Sequence, residues 1–309
     1  MLVLPAPDGA EIMYNVPVLI AYSNFFMSSI ITVSAFSDNY IWLVCNKKCD
    51  DKKQHGIIVD PGDPRQLIVI LEKENITPIA VILTHLHYDH ANGLTKLTNR
   101  YPNLPIYGPE SEYKLLKDNP HPPTYGPATN CFEYITHFLK GDEVLEFKQV
   151  DCRFQLMSIP GHTSGHIAYY DAQNKRLFCG DTLFAGGCGR VFDGGFNNLH
   201  NSLQKIKALP EDTNIYCAHE YTLDNLGFAA WVEPENNDIS ARLDADRALI
   251  DNNQATVPSL LSLELKTNPF LRTDLAHVKE RVEQATNKTL ESPSEVFSAM
   301  RTWKDSKYD

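Results

Sequence analysis

The feature that most constrains this chain is residues 84–90, whose sequence is THLHYDH. This loop directly follows the apolar run PIAVIL at 78–83, which predicts a buried strand. Side chains alternate along an extended segment, so His85 and His87 point the same way and can reach one ion. Asp89 and His90 lie just beyond them and can serve a second ion. Because α/β folds place their chemistry at strand ends, the loop predicts a metal site in an α/β protein.

Three more apolar runs end in turns that carry the same kinds of residue. The runs at 154–160, 176–178 and 214–216 precede His162, Asp181 and His219. Four strand ends thus supply seven candidate metal ligands: His85, His87, Asp89, His90, His162, Asp181 and His219. Seven ligands suffice for two ions if one carboxylate bridges, and two ions about 3.5–4 Å apart are a hydrolytic arrangement.

In this order the four motifs resemble the metallo-β-lactamase superfamily, and within it the glyoxalase II (hydroxyacylglutathione hydrolase) family. The resemblance runs from ITVSAFSDNYIW at 31–42 to the C-terminus, and it includes VDPGD at 59–63 and NPFLR at 268–272. The histidine-rich motif alone indicates the superfamily. The GCGRVF loop at 187–192 and the closing RTWKD at 301–305 narrow the resemblance to the hydrolase family.

The resemblance implies a role for each candidate residue. The implied ligands of a first metal ion are His85, His87 and His162; those of a second ion are Asp89, His90 and His219, with Asp181 as the bridging carboxylate. The positions that match the family's glutathione-binding residues are Arg190, Phe192, Tyr221, Arg301 and Lys304. Asp89 and Asp181 are also expected to be catalytic, because they would orient the attacking hydroxide. Leu86 departs from the family, in which many members have another histidine there.

The resemblance implies hydrolysis of S-D-lactoylglutathione to D-lactate and glutathione, the second step of methylglyoxal detoxification. Two divalent ions, expected to be Zn²⁺ although the same ligands accept Fe or Mn, would supply a bridging hydroxide near neutral pH. Because a thiolate leaves readily, the absence of an obvious Ser-His-Asp triad is no obstacle.

Two alternatives remain open at this point. A persulfide dioxygenase of the same superfamily uses one iron, but the long segment after His219 argues against it. A binding-only relative is expected to have lost ligands, whereas all seven positions hold competent residues.

The expected fold class is α/β. The resemblance implies an αββα metallo-β-lactamase-like sandwich over residues 27–220, followed by a small helical, glutathione-binding domain over residues 221–309. Residues 1–26 fall outside the resemblance and are expected to be dispensable, with an extra N-terminal strand as the alternative. The segment 113–138 looks longer than its family counterpart and is expected to be a surface insertion near the site. Helices are expected at 63–74, 198–209, 239–252, 275–286 and 293–304.

Composition excludes several classes of protein. The net charge of −11 disfavours a nucleic-acid-binding surface, which is normally basic. No apolar stretch approaches the roughly 18–20 residues of a membrane span. The first basic residue is Lys47, so the N-terminus lacks the charged region of a signal peptide. We therefore expect a cytoplasmic, monomeric enzyme whose seven cysteines, an odd number, are reduced thiols.

Several neighbouring residues have two interpretations. His166 is expected to orient its surroundings and not to bind metal. Asp60 could orient a ligand histidine or cap the helix that begins near Pro64. Glu220 could support the site or be exposed, and Tyr88 could line its mouth or simply pack. The histidines outside the motifs are expected at the surface: His55, His121, His137, His200 and His277.

Overall fold

A computed structural model describes residues 28–46, 54–118 and 131–308, so the expectation for residues 1–26 lies outside the described residues. Two six-stranded sheets form the centre of the molecule. The strands of the first sheet follow chain order: β1 (Ser28–Ala35), β2 (Asn39–Asn46), β3 (Gln54–Val59), β4 (Ile76–Ile82), β5 (Ile106–Pro109) and β6 (His137–Leu139). The first three are antiparallel, and β3 to β6 are parallel.

The second sheet comes from the following part of the chain. Its strands are β7 (Val144–Phe147), β8 (Cys152–Ser158), β9 (Ile167–Asp171), β10 (Arg176–Gly180), β13 (Asn214–Cys217) and β14 (Ser259–Leu260). They lie in the order β14-β13-β10-β9-β8-β7, with only β10 and β13 parallel among these described strands. A short ribbon of β11 (Leu183–Phe184) and β12 (Gly187–Cys188) follows β10.

Ten helices surround the sheets in the described residues. They are α1 (Arg65–Lys73), α2 (Tyr88–Ala91), α3 (Leu94–Arg100), α4 (Glu110–Asp118), α5 (Phe196–Lys207), α6 (Thr222–Val232), α7 (Asn237–Asp251), α8 (Leu261–Thr267), α9 (Ala276–Thr286) and α10 (Pro293–Lys307). The five helices expected from the sequence are confirmed, with ends that differ by up to three residues. α10 begins with a capping box between Ser292 and Glu295.

Period-two alternation along β2 explains the layered packing. Trp42 and Val44 point into the cluster between the two sheets, whereas Ile41 and Leu43 point to the helices on the outer face. The indole of Trp42 also donates a hydrogen bond to the carbonyl of Cys217 across the sandwich, at 3.0 Å. Both faces of this sheet are buried, which confirms the αββα sandwich.

The C-terminal helices share the apolar core of the sandwich. Phe270, Phe297 and Met300 belong to the same buried cluster as Leu199 and Leu203 of α5. This shared cluster fixes α10 against α5. The basic residues at the end of α10 are thereby brought close to the loops that follow β8 and β12.

One expectation from the sequence is tested only in part and another is wrong. In segment 113–138, residues 119–130 lie outside the described residues, but Cys131, Phe132 and Ile135 are buried in the cluster beneath α3 and β6 extends the first sheet, so the end of the segment is part of the fold. His200 is not at the surface, because it lies on the inward face of α5 beside the ring of Phe297. Within 28–46, 54–118 and 131–308, no helix has the length and apolar character needed to cross a membrane.

Candidate metal centre

Four strand ends meet at one edge of the sandwich, as the sequence predicts. The loop after β4 carries His85, His87, Asp89 and His90, and the ends of β8, β10 and β13 bring His162, Asp181 and His219. All of these side chains are buried except Asp89, whose side chain is 35% exposed. The structure therefore brings together all seven candidate ligands.

The first group of ligand atoms consists of three imidazole nitrogens. Nδ1 of His87 lies 3.1 Å from Nε2 of His85 and 3.0 Å from Nε2 of His162. The three nitrogens converge within 4.8 Å of one another, which is the spacing needed to hold one ion. This is the histidine triad that the resemblance implies for a first metal.

The second group combines histidines and carboxylates. Nε2 of His219 lies 3.2 Å from Oδ2 of Asp89, and Nε2 of His90 lies 3.5 Å from the same oxygen. Asp181 lies between the two groups, since its Oδ2 is 3.5 Å from Nε2 of His162 and 3.4 Å from Nε2 of His219. A carboxylate in this position can touch both ions.

Unsatisfied polar atoms in the cluster fit bound metal. Nε2 of His90 and Oδ1 of Asp181 are buried and make no hydrogen bond within the described residues, although they lie only 3.4 Å apart. Buried polar atoms are almost always hydrogen-bonded, so such exceptions need an explanation. Lone pairs that face one another across a short gap are what a divalent cation requires.

The far nitrogen of each of four imidazoles is held by an acceptor. Nδ1 of His90 lies 3.2 Å from Oδ2 of Asp60, and Nδ1 of His219 lies 2.7 Å from Oδ1 of Asp38. Nδ1 of His162 faces the carbonyl of Arg190 at 2.8 Å, and Nδ1 of His85 faces the hydroxyl of Thr84 at 3.1 Å. Such contacts fix the tautomer and would aim Nε2 at a bound metal ion.

Asp60 orients the ligand-bearing loop at 84–90 and does not cap a helix. Its carboxylate accepts from both the amide and the hydroxyl of Thr84, at 2.8 and 2.7 Å, in addition to its contact with His90. α1 has Pro64 at its N-cap and no side-chain cap. The position of Asp60 at the end of β3 thus resolves the two interpretations of the sequence.

Two more residues support the site, from the turn after β1 and from the first position of β2. Asp38 holds His219, and the amide of Asn39 donates to Oδ2 of Asp89 at 2.9 Å. Sequence reasoning gave neither of them a role. The sequence does show a polar Ser-Asp-Asn segment between two apolar strands within the part that resembles the family. The residues that Asn39 and Asp38 contact, however, are about 50 and 180 positions away in the sequence.

His166 and Glu220 each lie behind the ligand cluster. Nε2 of His166 accepts from the amide of Asp181 at 3.2 Å, and its ring stacks on His85, so it orients the site as expected. Glu220 accepts from the hydroxyl of Tyr40 and the amide of Thr256. It therefore joins β2 to the segment before β14.

Burial and neighbouring charges shift the pKa values of the cluster in opposite directions for different residues. Burial lowers the pKa of His87 to about 3 and that of His85 well below its usual value. Burial opposes charge on His90 and His219, but the adjacent carboxylates, Asp181 foremost, together outweigh this effect and raise both pKa values. Burial likewise opposes charge on Asp181, but His219 and His90 hold its pKa well below the usual range. The cluster thus requires positive charge beside its carboxylates, which a divalent ion supplies.

A cavity of about 380 Å³ opens from the ligand cluster toward α10. Its walls include all five residues that match glutathione-binding positions: Arg190, Phe192, Tyr221, Arg301 and Lys304. Phe192 is 42% exposed and its ring packs edge-on against His87, while Tyr221 stacks on His219 with ring centroids 4.7 Å apart. The metal candidates and the substrate candidates therefore share one cavity.

The cations of this cavity differ in their surroundings. Arg301 is 2% exposed, and its guanidinium donates to the carbonyl of Cys188 at 3.1 Å and to Asp305 at 2.8 Å. Arg190 is half-exposed and reaches the same Asp305 oxygen at 3.3 Å. Lys304 lies 3.6 Å from the exposed carboxylate of Asp224. Arg301 thus fastens the β12 loop to α10.

The cysteines of the described residues are free and buried, as the sequence predicts; Cys49 lies outside those residues. Cys188 lines the cavity, and burial raises the pKa of its thiol to about 11, although Arg301 lies beside it. A thiol that stays protonated at neutral pH is a poor nucleophile. The chemistry of the cavity therefore depends on the histidines and aspartates.

Comparison with known proteins agrees with this architecture. The model of the metallo-β-lactamase superfamily matches residues 38–219, and that of the hydroxyacylglutathione hydrolase C-terminus matches residues 220–307. Among solved structures, the BLEG-1 B3 metallo-β-lactamase superposes with a TM-score of 0.58 at 25% identity, covering 79% of this chain and 99% of that chain. ETHE1 from Myxococcus xanthus shares the fold, with a TM-score of 0.57 at 17% identity, covering 90% of this chain and 92% of that chain.

The chain matches curated relatives over nearly their whole length. The hydroxyacylglutathione hydrolase of Nitrosomonas eutropha is 40% identical over 279 residues, which cover 90% of this chain and 99% of the relative. That of Aeromonas salmonicida is 41% identical over 280 residues, with the same coverage. The seven-residue cluster thus sits in a chain that matches such hydrolases through both its sandwich and its C-terminal helices. The chain therefore belongs to the hydroxyacylglutathione hydrolase family of the metallo-β-lactamase superfamily.

Proposed function

We propose that this chain hydrolyses the thioester of S-(2-hydroxyacyl)glutathione, chiefly S-D-lactoylglutathione, to give D-lactate and glutathione in the second step of methylglyoxal detoxification. The observation that carries this proposal is the cavity that has five of the seven candidate ligands at one end and cationic side chains toward α10. A thioester at the first end and an anionic glutathione body at the second would match this polarity. We further propose that the enzyme acts as a cytoplasmic monomer.

The ligands divide into two sets in this proposal. His85, His87 and His162 would hold a first ion, and Asp89, His90 and His219 a second, with Asp181 shared between them. This mixture of imidazole and carboxylate suits Zn²⁺, and it also accepts Fe or Mn. When bound, two such ions lower the pKa of a shared water and polarise the substrate carbonyl.

The catalytic aspartates would orient the attacking oxygen. Asp89 is held by the amide of Asn39, so its free lone pairs have a fixed direction toward the cavity. Asp181 is buried and has its pKa held low by His219 and His90, so it stays an acceptor at neutral pH. Two acceptors fixed in this way align a nucleophile with the thioester carbon at little entropic cost.

The glutathione body would lie along the wall between the two parts of the chain. We propose residues 27–220 as the catalytic domain and residues 221–309 as the helical, glutathione-binding domain. Arg190 and Lys304 offer cations to the glutathione carboxylates, and the exposed rings of Phe192 and Tyr221 flank the route to the ligand cluster. In a chain of net charge −11, these side chains concentrate positive charge where an anion must bind.

The test compares two thioesters of the same acyl group. The steady-state hydrolysis rates of S-D-lactoylglutathione and of S-D-lactoyl-N-acetylcysteamine are measured on one preparation. The proposal predicts hydrolysis of both, with kcat/KM at least about tenfold higher for glutathione, since remote binding energy is lost in the truncated thioester. Equal kcat/KM values would show that the cavity does not recognise glutathione.

A second assay addresses the dioxygenase alternative. Oxygen consumption is followed with glutathione persulfide under the same conditions. The proposal predicts no oxygen uptake above background. Oxygen uptake without thioester hydrolysis would overturn the proposed reaction.

A further inference from the structure

A carboxylate outside the ligand cluster lies fully buried behind two of its loops. Glu112 is the third residue of α4, and none of its surface is exposed. A buried carboxyl group costs folding free energy unless its oxygens are hydrogen-bonded. The partners of Glu112 therefore indicate what this residue does.

Both carboxyl oxygens of Glu112 accept hydrogen bonds, and each contacts a different loop that carries candidate metal ligands. Oε2 accepts the backbone N–H of Leu86 at 2.6 Å, and Oε1 accepts the hydroxyl of Thr163. Leu86 stands between His85 and His87, and Thr163 directly follows His162. One side chain thus connects the backbone segments of all three histidines in the first group.

The backbone around this contact is closely packed. A side chain at Gly165 would place its Cβ 2.6 Å from Cγ of Glu112 and closer still to the hydroxyl of Ser111. Only glycine allows the loop after His162 to approach the start of α4 so closely. α4 therefore lies directly against this loop, and the link through Glu112 is short.

Either protonation state of Glu112 can make the two contacts. Burial raises the pKa of its carboxyl group to about 8. In the neutral form, the carbonyl oxygen accepts from Leu86 and the O–H can donate to the Thr163 hydroxyl. A glutamine at this position offers the same pattern, with its oxygen toward Leu86 and its amide toward Thr163.

We propose that Glu112 is a positioning residue for the first metal ion, holding the loop of His85 and His87 at a fixed distance from the loop of His162. The inference rests on the proposed two-metal function, and it assigns the preorganisation of the first histidine triad to one side chain on α4. Glu112 belongs to none of the candidate ligand groups and does not line the cavity, so its effect would be exerted through the ligand geometry.

The test uses zinc binding by the full-length chain after its metals are removed. Calorimetric titration of the unaltered protein and of three variants gives the affinity of each ion. Glu112→Ala should weaken the binding of one of the two ions by about 10- to 100-fold, which is the usual effect of losing a residue that orients a ligand. Glu112→Gln should restore that affinity to within about threefold, a rescue expected only if the two hydrogen bonds position the loops. Leu116→Ala, on the same helix, should lower the melting temperature and leave both affinities unchanged.

Each result has a defined meaning. If a folded Glu112→Ala variant binds both ions with unchanged affinity, the positioning role is overturned. Equal losses of affinity in Glu112→Ala and Leu116→Ala would also overturn it. If Glu112→Ala does not fold, Thr163→Val serves instead, because it removes only the contact to Oε1. Thr163→Val should weaken one ion, and full affinity would contradict the proposal. Fewer than two ions in the unaltered protein would contradict the metal centre itself, whatever Glu112 does.

Discussion

The shared carboxylate of Asp181 is the residue whose charge the site most depends on. Two divalent cations about 3.5–4 Å apart repel each other strongly unless an anion lies between them. Asp181→Asn keeps the shape of the side chain and removes that charge. We therefore expect the metal content to fall from two ions toward one, and kcat to fall at least about 100-fold.

Metal analysis and kinetics on the same sample check this expectation. Asp212→Asn is the matched control, because Asp212 is an exposed aspartate that pairs only with Lys175 among the described residues. An Asp181→Asn variant that keeps both ions and its activity would refute the bridging role.

Glu112 predicts a pH dependence of stability whose sign follows from its raised pKa. Burial moves the pKa from 4.5 to about 8, so between these values the folded chain holds a proton that the unfolded chain has lost. The free energy of unfolding should therefore fall as the pH rises from about 4.5 to about 8. Denaturant titrations of the unaltered chain and of Glu112→Gln isolate this contribution, because glutamine does not titrate, and the stability of the unaltered chain relative to the variant should fall steadily over that range. A difference that does not vary with pH would contradict it.

Ligands could be predicted from the sequence, but their partners could not. Each of the seven candidates lies in a turn that follows an apolar run, so short-range patterns locate it. Asp38, Asn39 and Glu112 act on residues that are distant in the sequence, and no local pattern distinguishes them from other polar residues. Only the three-dimensional arrangement of the loops reveals their contacts.

At the scale of secondary structure, the predicted strands were more informative about the position of the site than composition was. The apolar runs before His85, His162, Asp181 and His219 are confirmed as the ends of β4, β8, β10 and β13. The prolines and polar residues of the segment 113–138 suggest a surface loop, but its described end is buried. Burial of Cys131, Phe132 and Ile135 depends on a neighbouring helix that the segment itself does not encode.

Helix α10 carries two cations for which we predict different effects. Lys304 lines the cavity and lies 3.6 Å from Asp224, so Lys304→Ala should raise KM for the glutathione thioester roughly tenfold and leave kcat nearly unchanged. Arg301 holds the Cys188 carbonyl, so Arg301→Ala should also lower the melting temperature, by about 2–4 °C for each kcal/mol lost.

Kinetics and thermal unfolding of the two variants separate these roles, with the exposed Lys307→Ala on the same helix as the control. An unchanged KM in Lys304→Ala would mean that this lysine does not contact substrate. An unchanged melting temperature in Arg301→Ala would mean that the β12 loop is held by other contacts.

At the scale of the whole molecule, one apolar core joins the sandwich to the C-terminal helices. Phe228, Phe270 and Phe297 lie in the same buried cluster as Trp42 and Phe178. Although two family models divide the chain near residue 220, this shared core predicts that both parts unfold together. Calorimetry should give a single transition that coincides with the loss of helical circular dichroism. Two separated transitions would show that the parts are independent.

The most direct test of the account is activity as a function of bound metal. The metal-free chain is titrated with Zn²⁺, and after each addition the ions bound per chain and the rate of S-D-lactoylglutathione hydrolysis are measured together. Because the two ligand sets share Asp181 and face one cavity, the account predicts that activity rises to its plateau only as the second ion binds. Full activity with one ion per chain, or no hydrolysis with two, would contradict it.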